Sequence, residues 1–458
     1  MIAQHNSRWI VTSFSILLLL SSSSSFAVGY GIYDARTQGL GGTSVAMANT
    51  NNAYFYNPSI LAFHYEDEDH TRDGRVTPVA ILEYSEATKS AYELVDKDVD
   101  TKFDDAVAAY NARPTTQRAA NALVFSSELE DLAEKIQDQD LNIDSYVGFG
   151  ISEVGELGGG SFFIGSRVVG GGTTNIPESD RELFDQYNEV LEYFASDGQS
   201  GVFYPDLVEL DCPDSLDQRF PVDGEGNRLL DPETNSPLIN ENCDLNEPSD
   251  EFTSSAQFRG ALITEVGVSS AKLWQWRNFL IAGGFTPKVM MLKTFDEDRR
   301  VSDDDFNVDT TLETELFFNL DLGFSIQYAD RYRLGLAVKD VVQKSFKTEL
   351  ENTIKLTPRS RLGFSYMHDY FIVGADIDLE KIESFSENLA RQDFTLGVEV
   401  PIYNTAAFRA GYRVDTKGNF KNKFNLGLGF SWRRISIDAA YSNGDKESSY
   451  ALQGGFAF

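Results

Sequence analysis

The carboxyl-terminal half of the chain repeats an alternation of apolar with small or polar residues at a period of two. Over 394–400, Phe394, Leu396, Val398 and Val400 occupy every second position. The same pattern recurs over 371–380, 408–415, 424–433, 435–442 and 450–458, and near 75–84, 141–151, 160–170, 256–269, 278–293, 313–328, 331–342 and 354–366. A period of two predicts β-strands with two different faces, and the strand number is about 14.

The connections between these segments distinguish a barrel from a soluble sandwich, since both architectures alternate. Short links near Gly155, Trp274, Ala329, His368, Asn404 and Arg433 alternate with longer ones at 85–140, 171–253, 294–312, 343–353, 381–391, 415–422 and 443–449. Outer-membrane barrels have short periplasmic turns, longer extracellular loops and an even strand number. We therefore predict an all-β fold, a transmembrane antiparallel β-barrel over 75–458 with both chain ends in the periplasm. A sandwich gives no reason for such alternating lengths.

Residues 1–27 have the character of a secretory signal peptide. Arg8 precedes an apolar stretch from Trp9 to Leu20, and small residues follow up to Ala27, after which we predict cleavage. The apolar stretch is shorter than the roughly 20 residues that cross a bilayer. An uncleaved single-span anchor is the alternative. Export together with the strand pattern predicts that the protein lies in the cell outer membrane.

The two longest connections are predicted to be extracellular insertions. The insertion at 85–140 has apolar residues at helical spacing, and 178–194 predicts another helix. The insertion at 171–253 is strongly acidic and carries the only two cysteines, Cys212 and Cys243, which an oxidising compartment allows to form a disulfide. Two free thiols are the alternative. With 71 acidic against 39 basic residues and a net charge of -32, no direct binding of nucleic acid is expected.

Candidates for chemistry are few, because the chain has only 4 His and 2 Cys. Asp305, Asn307 and Asp309 have the spacing of a calcium loop but lack its glycine and its terminal glutamate, so they are weak metal candidates. No serine and histidine combination indicates a nucleophile. We predict neither an enzyme nor a cofactor.

The segment 28–74 has features of a lumen plug. Gly39, Gly41 and Gly42 allow tight backbone turns, and Asn57-Pro58 ends any extended run. A periplasmic tail is the alternative. This Gly-rich start, followed by Asn57-Pro58-Ser59-Ile-Leu61, resembles the opening of the long-chain fatty-acid transporter (FadL-like) superfamily, and within it the conjugal-transfer TraF-type exported β-barrels. The resemblance implies a 14-stranded barrel whose amino-terminal segment plugs the lumen.

The register of the predicted strands directs a set of charged residues into the lumen: Asp376, Asp378, Glu399, Arg409 and Arg413. Arg409 and Arg413 can pair with acidic neighbours such as Glu399 on the preceding strand, which is an ordinary way to satisfy lumen charges. A role in selectivity is the alternative interpretation.

Two functions follow from the resemblance. The first is a passive channel or transporter for hydrophobic small molecules. The second is an accessory or surface-interaction protein of conjugative DNA transfer without transport activity, whose partners are proteins of the conjugation apparatus. In both cases outer-membrane lipid and lipopolysaccharide surround the barrel.

Overall fold

The computed structural model describes residues 26–63 and 73–458, except 138, 156–157, 197–243, 247–251, 301–313, 349, 351, 386–388, 404 and 445. Cys212 and Cys243 lie outside the described residues, as do Asp305, Asn307 and Asp309. Most of the predicted signal peptide also lies outside them. Within the described part of the chain, no helix is long and apolar enough to cross a membrane.

Strands make up most of the described chain. In chain order they are β1 (Phe26–Ala27), β2 (Asp73–Ser85), β3 (Leu141–Gly155), β4 (Gly158–Asn175), β5 (Ser255–Trp276), β6 (Phe279–Arg300), β7 (Thr314–Tyr328), β8 (Tyr332–Lys339), β9 (Lys344–Lys347), β10 (Thr353–Leu356), β11 (Arg359–His368), β12 (Phe371–Asp378), β13 (Ile382–Glu383), β14 (Ala390–Arg391), β15 (Asp393–Ile402), β16 (Ala406–Asp415), β17 (Lys423–Trp432), β18 (Ile435–Gly444) and β19 (Glu447–Ala457).

Fourteen of these strands form one closed antiparallel barrel: β2 to β8, β11, β12 and β15 to β19. The last strand closes the barrel by pairing with the first, from Glu447 opposite Ser85 to Ala457 opposite Arg75. The predicted fold class and strand number are thereby confirmed. We call the end of the barrel with the long connections the loop end, and the opposite end the turn end.

The alternation in sequence becomes an apolar outside and a polar inside. On β17, Phe424 is 52% and Leu426 50% exposed, whereas Asn425 between them is 1% exposed. Leu428 and Phe430 continue the exposed row. An apolar band of this kind is the surface that lipid covers in an outer-membrane barrel.

Three predicted boundaries differ from the structure. The predicted strand 354–366 is divided, because Pro358 has no N–H for a ladder; Thr353–Leu356 leaves the barrel and β11 begins at Arg359. The predicted long connection at 443–449 is a tight turn, since Gly444 pairs with Glu447 and Lys446 has a φ of 64°. The insertion predicted to begin at 171 begins after Asn175, which pairs with Ser255.

A second sheet of five short strands, which the alternation did not predict, lies at the loop end in the order β14-β13-β1-β10-β9. In it Phe26 pairs in parallel with Ile354 of β10 and with Glu383 of β13. The described chain therefore starts at the loop end and finishes at the turn end, which corrects the prediction that both ends lie on one side. The difference arises because the amino-terminal segment runs along the lumen, and cleavage after Ala27 would remove β1.

Six α-helices complete the described chain. The plug contains α1 (Ala35–Gly39) and α2 (Ala53–Tyr56); the helical insertion at the loop end contains α3 (Glu86–Asp96), α4 (Val99–Ala112), α5 (Thr116–Ile136) and α6 (Glu178–Ala195). Pro114 separates α4 from α5, and the Thr115 hydroxyl caps α5 by accepting from the Arg118 N–H at 3.2 Å. The insertion has a core of its own, in which Phe103, Leu132 and Tyr187 are buried.

Candidate functional site in the barrel lumen

The plug, residues 28–63, fills the lumen between the two ends of the barrel. Asp34 caps α1 by accepting from the Thr37 N–H at 3.0 Å, and a 3₁₀ helix (Pro58–Ala62) follows α2. The α1 helix contacts β16 to β19, and the 3₁₀ helix contacts β3 to β7. The segment therefore reaches both sides of the barrel wall, as the plug interpretation requires.

Two plug glycines, Gly39 and Gly41, lie where the backbone of the plug meets the backbone of the wall. A Cβ on Gly39 would lie 2.8 Å from the Gly427 Cα, and one on Gly411 would lie 2.1 Å from the Gly41 nitrogen. Gly41 and Gly42 have φ angles of 70° and 94°, in the left-handed region that favours glycine. Close approach and turn geometry both account for the Gly-rich sequence.

Asn57 fixes the second half of the plug. Its side chain accepts from the Ser59 N–H at 3.2 Å and donates to the Val45 carbonyl at 2.9 Å and to the Ser325 hydroxyl of β7 at 3.0 Å. Pro58 follows at the first position of the 3₁₀ helix, where no N–H is needed. Leu61 is fully buried in an aromatic cluster that includes Tyr54 and Phe163.

Polar side chains of the wall satisfy the backbone groups of the plug. The Asp376 carboxylate accepts from the N–H groups of Ser44 and Val45 at 2.6 and 2.8 Å. Arg361 donates to the Gly42 carbonyl at 3.2 Å and pairs with Asp378 at 2.5 Å. Arg413 points to the Gly41 carbonyl at 3.5 Å. Buried backbone groups need such partners, so these contacts hold the plug in place.

Glu399 connects plug and wall by charge. Its carboxylate lies 2.8 Å from the Arg36 guanidinium of α1 and 2.6 Å from that of Arg409, the residue opposite it on the neighbouring strand. Arg409 also pairs with Asp438 at 2.6 Å. Four charged groups thus alternate in sign, and each charge is compensated inside the lumen.

A second set of charges, which sequence reasoning missed, surrounds Lys288 of β6. Its ammonium lies 3.0 Å from Glu265, 3.0 Å from Asp321 and 2.8 Å from Asp340. Asp340 also pairs with Arg359. Burial alone would raise the pKa of Asp340, but Lys288 and Arg359 hold that pKa below its ordinary value. We call these five residues the charge belt.

The charge belt left one signal in the sequence: Lys288 is the single charged residue between Phe279 and Leu292. Its three acidic partners come from β5, β7 and the residue after β8, so only the strand register brings them together. Lys339 is close by and donates to the Phe55 carbonyl of the plug at 2.6 Å. The charge belt and the plug therefore lie next to each other.

Towards the loop end the inward face becomes apolar, and we call this region the apolar cluster. Met290 and Leu292 lie two and four residues beyond Lys288 on the same face of β6, and both are buried. The cluster also includes Val28, Val169, Ala261, Ile263, Phe346, Ile354, Leu356 and Phe385. The barrel wall supplies one half of it, and the small sheet with its adjoining connections supplies the other.

Two polar cavities flank the plug. One of about 170 Å³ opens at the turn end and is lined by Asp34, Arg75, Arg409 and Asp438 among others. A smaller one of about 50 Å³ lies at the loop end beside Glu83, Arg391 and Arg413. Among the described residues, no group of three or more His, Cys, Asp or Glu side chains is arranged to hold a metal ion.

Comparison with known proteins gives one family and a set of solved structures. The family described as "F plasmid transfer operon, TraF, protein" matches residues 54–378. The Pseudomonas putida toluene transporter TodX is similar over 94% of this chain and 99% of its own, with 12% identity and a TM-score of 0.43. A Pseudomonas aeruginosa FadL homologue is similar over 95% of this chain and 100% of its own, with 9% identity and a TM-score of 0.45.

The monoaromatic hydrocarbon channel CymD gives a similar result, with 93% of this chain and 96% of its own covered, 8% identity and a TM-score of 0.42. No curated protein matches the sequence. The TraF match runs from Tyr54 in the plug to Asp378 at the end of β12 and so includes most of the chain. It confirms the resemblance found in the sequence. The chain therefore belongs to the family of the TraF protein of the F plasmid transfer operon.

Proposed function

We propose that this protein is a passive outer-membrane channel for hydrophobic small molecules, with the plug as its gate. The observation that carries the proposal is the apolar cluster at the loop end. Inward positions of outer-membrane barrels are ordinarily polar, yet Ile263, Met290 and Leu292 face inward and are buried. An apolar region inside the entrance of a barrel suits a hydrophobic solute better than it suits water.

The small sheet covers this region from the loop side. Phe346, Ile354 and Leu356 come from the β9–β10 hairpin, which belongs to a connection and not to the barrel. Displacement of the hairpin would open the apolar wall to a solute without breaking the barrel ladder. Beneath it the charge belt and the plug close the lumen, so passage requires a rearrangement of the plug as well.

Uptake by whole cells tests the proposal. A deletion strain carrying Ile354→Ser or Leu356→Ser should accumulate radiolabelled oleate several-fold more slowly than one carrying the wild type, because the apolar cluster loses part of the surface that would bind oleate. Lys355→Ser, on the opposite face of the same strand, is the matched control and should leave uptake unchanged. Equal oleate uptake with and without the wild-type protein would exclude the proposed transport of such hydrophobic molecules.

A second candidate function is an accessory or surface-interaction role in conjugative transfer, and the helical insertion favours it. A separately packed helical unit at the loop end offers a partner a rigid surface without altering the lumen. Removal of 178–251 alone would expose the core, because Leu183, Phe184 and Tyr187 of α6 are buried in it and Tyr187 packs edge-on against Phe103 of α4. Both segments of the insertion must therefore be removed together.

The structure shows where to join the ends. Tyr84 pairs with Ile143 and Asn175 with Ser255, so short Gly-Ser turns can replace 86–140 and 177–253. This variant should keep oleate uptake if the protein is a channel. It should lose mating efficiency if the insertion is a contact surface of conjugation. Unchanged mating would exclude the second function for this surface.

A further inference from the structure

The cavity at the turn end is separate from the apolar cluster and has different chemistry. It has a volume of about 170 Å³, and its wall is formed by the plug and by the turn-end parts of β2 and β15 to β19. Its lining is mainly charged and amide side chains, including Asp34, Asn51, Arg75 and Gln453. The plug lies between this cavity and the loop end.

Asp34 lines this cavity, and one of its carboxylate oxygens has no hydrogen-bond partner among the described residues. The residue is 0% exposed. Its Oδ1 accepts from the Thr37 N–H at 3.0 Å and from the Asn52 amide at 3.2 Å, whereas its Oδ2 has no hydrogen-bond partner among the described residues. A buried carboxylate oxygen without a donor is costly, so the site suits a ligand that brings one.

Arg75 presents an unused cation to the same cavity. Its Nε has no hydrogen-bond partner, and within the described part of the chain its guanidinium makes no ion pair, with Asp34 or with any other carboxylate. The neighbouring charges are already compensated, because Glu399 pairs with Arg36 and Arg409, and Asp438 pairs with Arg409. Asp34 and Arg75 are therefore one negative and one positive group of the cavity lining without an ion-pair partner among the described residues.

We propose that this cavity binds a zwitterionic small molecule of amino-acid size, with its ammonium on Asp34 and its carboxylate on Arg75. Charge-assisted hydrogen bonds of both kinds are strong, and a guanidinium matches the geometry of a carboxylate. The volume agrees, since a cavity of about 150 Å³ holds benzene and L-alanine has a similar number of heavy atoms. Asn51, whose side-chain oxygen also lacks a partner, gives the ammonium a second acceptor.

Binding at this cavity is independent of the proposed transport of hydrophobic molecules. The site lies at the opposite end of the lumen, and its occupation is measured as binding, not as passage. A protein that takes up no oleate could therefore still bind a ligand in this cavity, and a protein that binds no ligand there could still take up oleate.

Isothermal titration calorimetry of the full chain in detergent micelles tests the site. The probes are L-alanine, propionate, which lacks its amino group, and ethylamine, which lacks its carboxylate. We expect L-alanine to bind at least tenfold more tightly than either of the other two. Asp34→Asn keeps the acceptor for the Thr37 N–H and removes only the charge, and it should weaken L-alanine binding at least tenfold. Arg75→Gln should do the same.

Asp131→Asn and Lys102→Gln make the same charge changes on exposed positions of the helical insertion and should bind L-alanine like the wild type. Heat-modifiable migration on a gel verifies that each variant is folded. The proposal is overturned if L-alanine gives no saturable heat below about 10 mM, if propionate or ethylamine binds equally well, or if a folded Asp34→Asn variant binds like the wild type.

Discussion

At the scale of single residues, most charged side chains that point into the lumen are paired with a side chain of opposite charge. Lys288 has three carboxylates within hydrogen-bond distance, and Glu399 has two guanidinium groups. Removing one member of a buried pair typically costs about 3–5 kcal/mol, because the other charge stays behind uncompensated. Single substitutions in the lumen should therefore have large effects on stability even where the outward face is untouched.

Asp340→Asn should change how stability depends on pH. The pKa of Asp340 is lower in the folded protein than its ordinary value near 4, because Lys288 and Arg359 outweigh the effect of burial. Its carboxylate therefore stabilises the fold fully above about pH 4, and this contribution is lost as the pH falls towards the lower, folded pKa.

The temperature at which the compact barrel band disappears from a gel measures this effect. The wild type should be the more stable protein at pH 7, and the difference from Asp340→Asn should shrink below about pH 4. A difference that stays constant with pH would show that the charge of Asp340 contributes nothing.

Gly411→Ala should loosen the plug. The added Cβ would lie 2.1 Å from both the Gly41 nitrogen and the Leu40 carbonyl carbon, and both sides of this contact are backbone. The plug must therefore move, and we expect higher ion conductance in a planar bilayer. Gly160→Ala is the matched control, because its Cβ would meet nothing closer than the Ser269 carbonyl at 3.5 Å. Equal conductance of the two variants would contradict the contact.

At the scale of elements, side chains of the plug bind groups of the wall, and side chains of the wall bind groups of the plug. The Arg36 side chain reaches Glu399 from the plug, and Asp376 and Arg361 reach plug backbone from the wall. None of these residues belongs to the outward apolar row. The barrel ladder is likewise formed between neighbouring strands alone, so the plug is an insert and not part of the barrel hydrogen bonding.

Removal of 28–62 should therefore leave a folded barrel that conducts ions far more readily. Water entering the lumen would hydrate Glu399, Asp376 and the other charges that lose their plug partners. Conductance in a planar bilayer is the measurement, and the variant without the helical insertion serves as control because its plug is intact. If the truncated chain does not assemble, the segment is needed for folding and the plug interpretation fails.

At the scale of the whole molecule, the protein has three levels along the barrel axis. The helical insertion and the small sheet lie at the loop end, the apolar cluster and the charge belt follow, and the plug with its polar cavity lies towards the turn end. The outward apolar row surrounds the barrel strands. This arrangement separates the surface that meets lipid from the surfaces that can bind solutes or partners.

The intact protein should behave as an outer-membrane barrel in solution. It should require detergent, give a circular dichroism spectrum dominated by β-structure with a helical contribution, and migrate faster on a gel before boiling than after it. Fast migration reflects the closed ladder from β2 to β19, which resists unfolding in detergent. A monomer that stays soluble in water without detergent would contradict the membrane assignment.

The sequence by itself determined the barrel, because a period of two marks the barrel strands and is read without knowledge of the neighbouring strands. Phe424 and Leu426 alternate with Asn425 whichever strand lies beside them. In a closed barrel one of the two alternating rows faces outward and the other faces the lumen. Helical spacing predicted the helix at 178–194 for the same local reason, and α6 is found at Glu178–Ala195. The inward direction of Asp376, Glu399 and Arg409 also follows from this parity.

Apart from the pair of Glu399 with Arg409 on the neighbouring strand, only the tertiary structure decided which inward residues meet. Lys288, Asp321 and Asp340 come together through the stagger of β6, β7 and β8, and stagger is set by pairing across strands, which parity does not specify. The path of the plug placed Phe26 at the loop end and left Asp34 and Arg75 facing one cavity from segments that are separate in sequence. Such contacts depend on how the irregular plug segment packs inside the closed barrel wall, and no local sequence pattern predicts this packing.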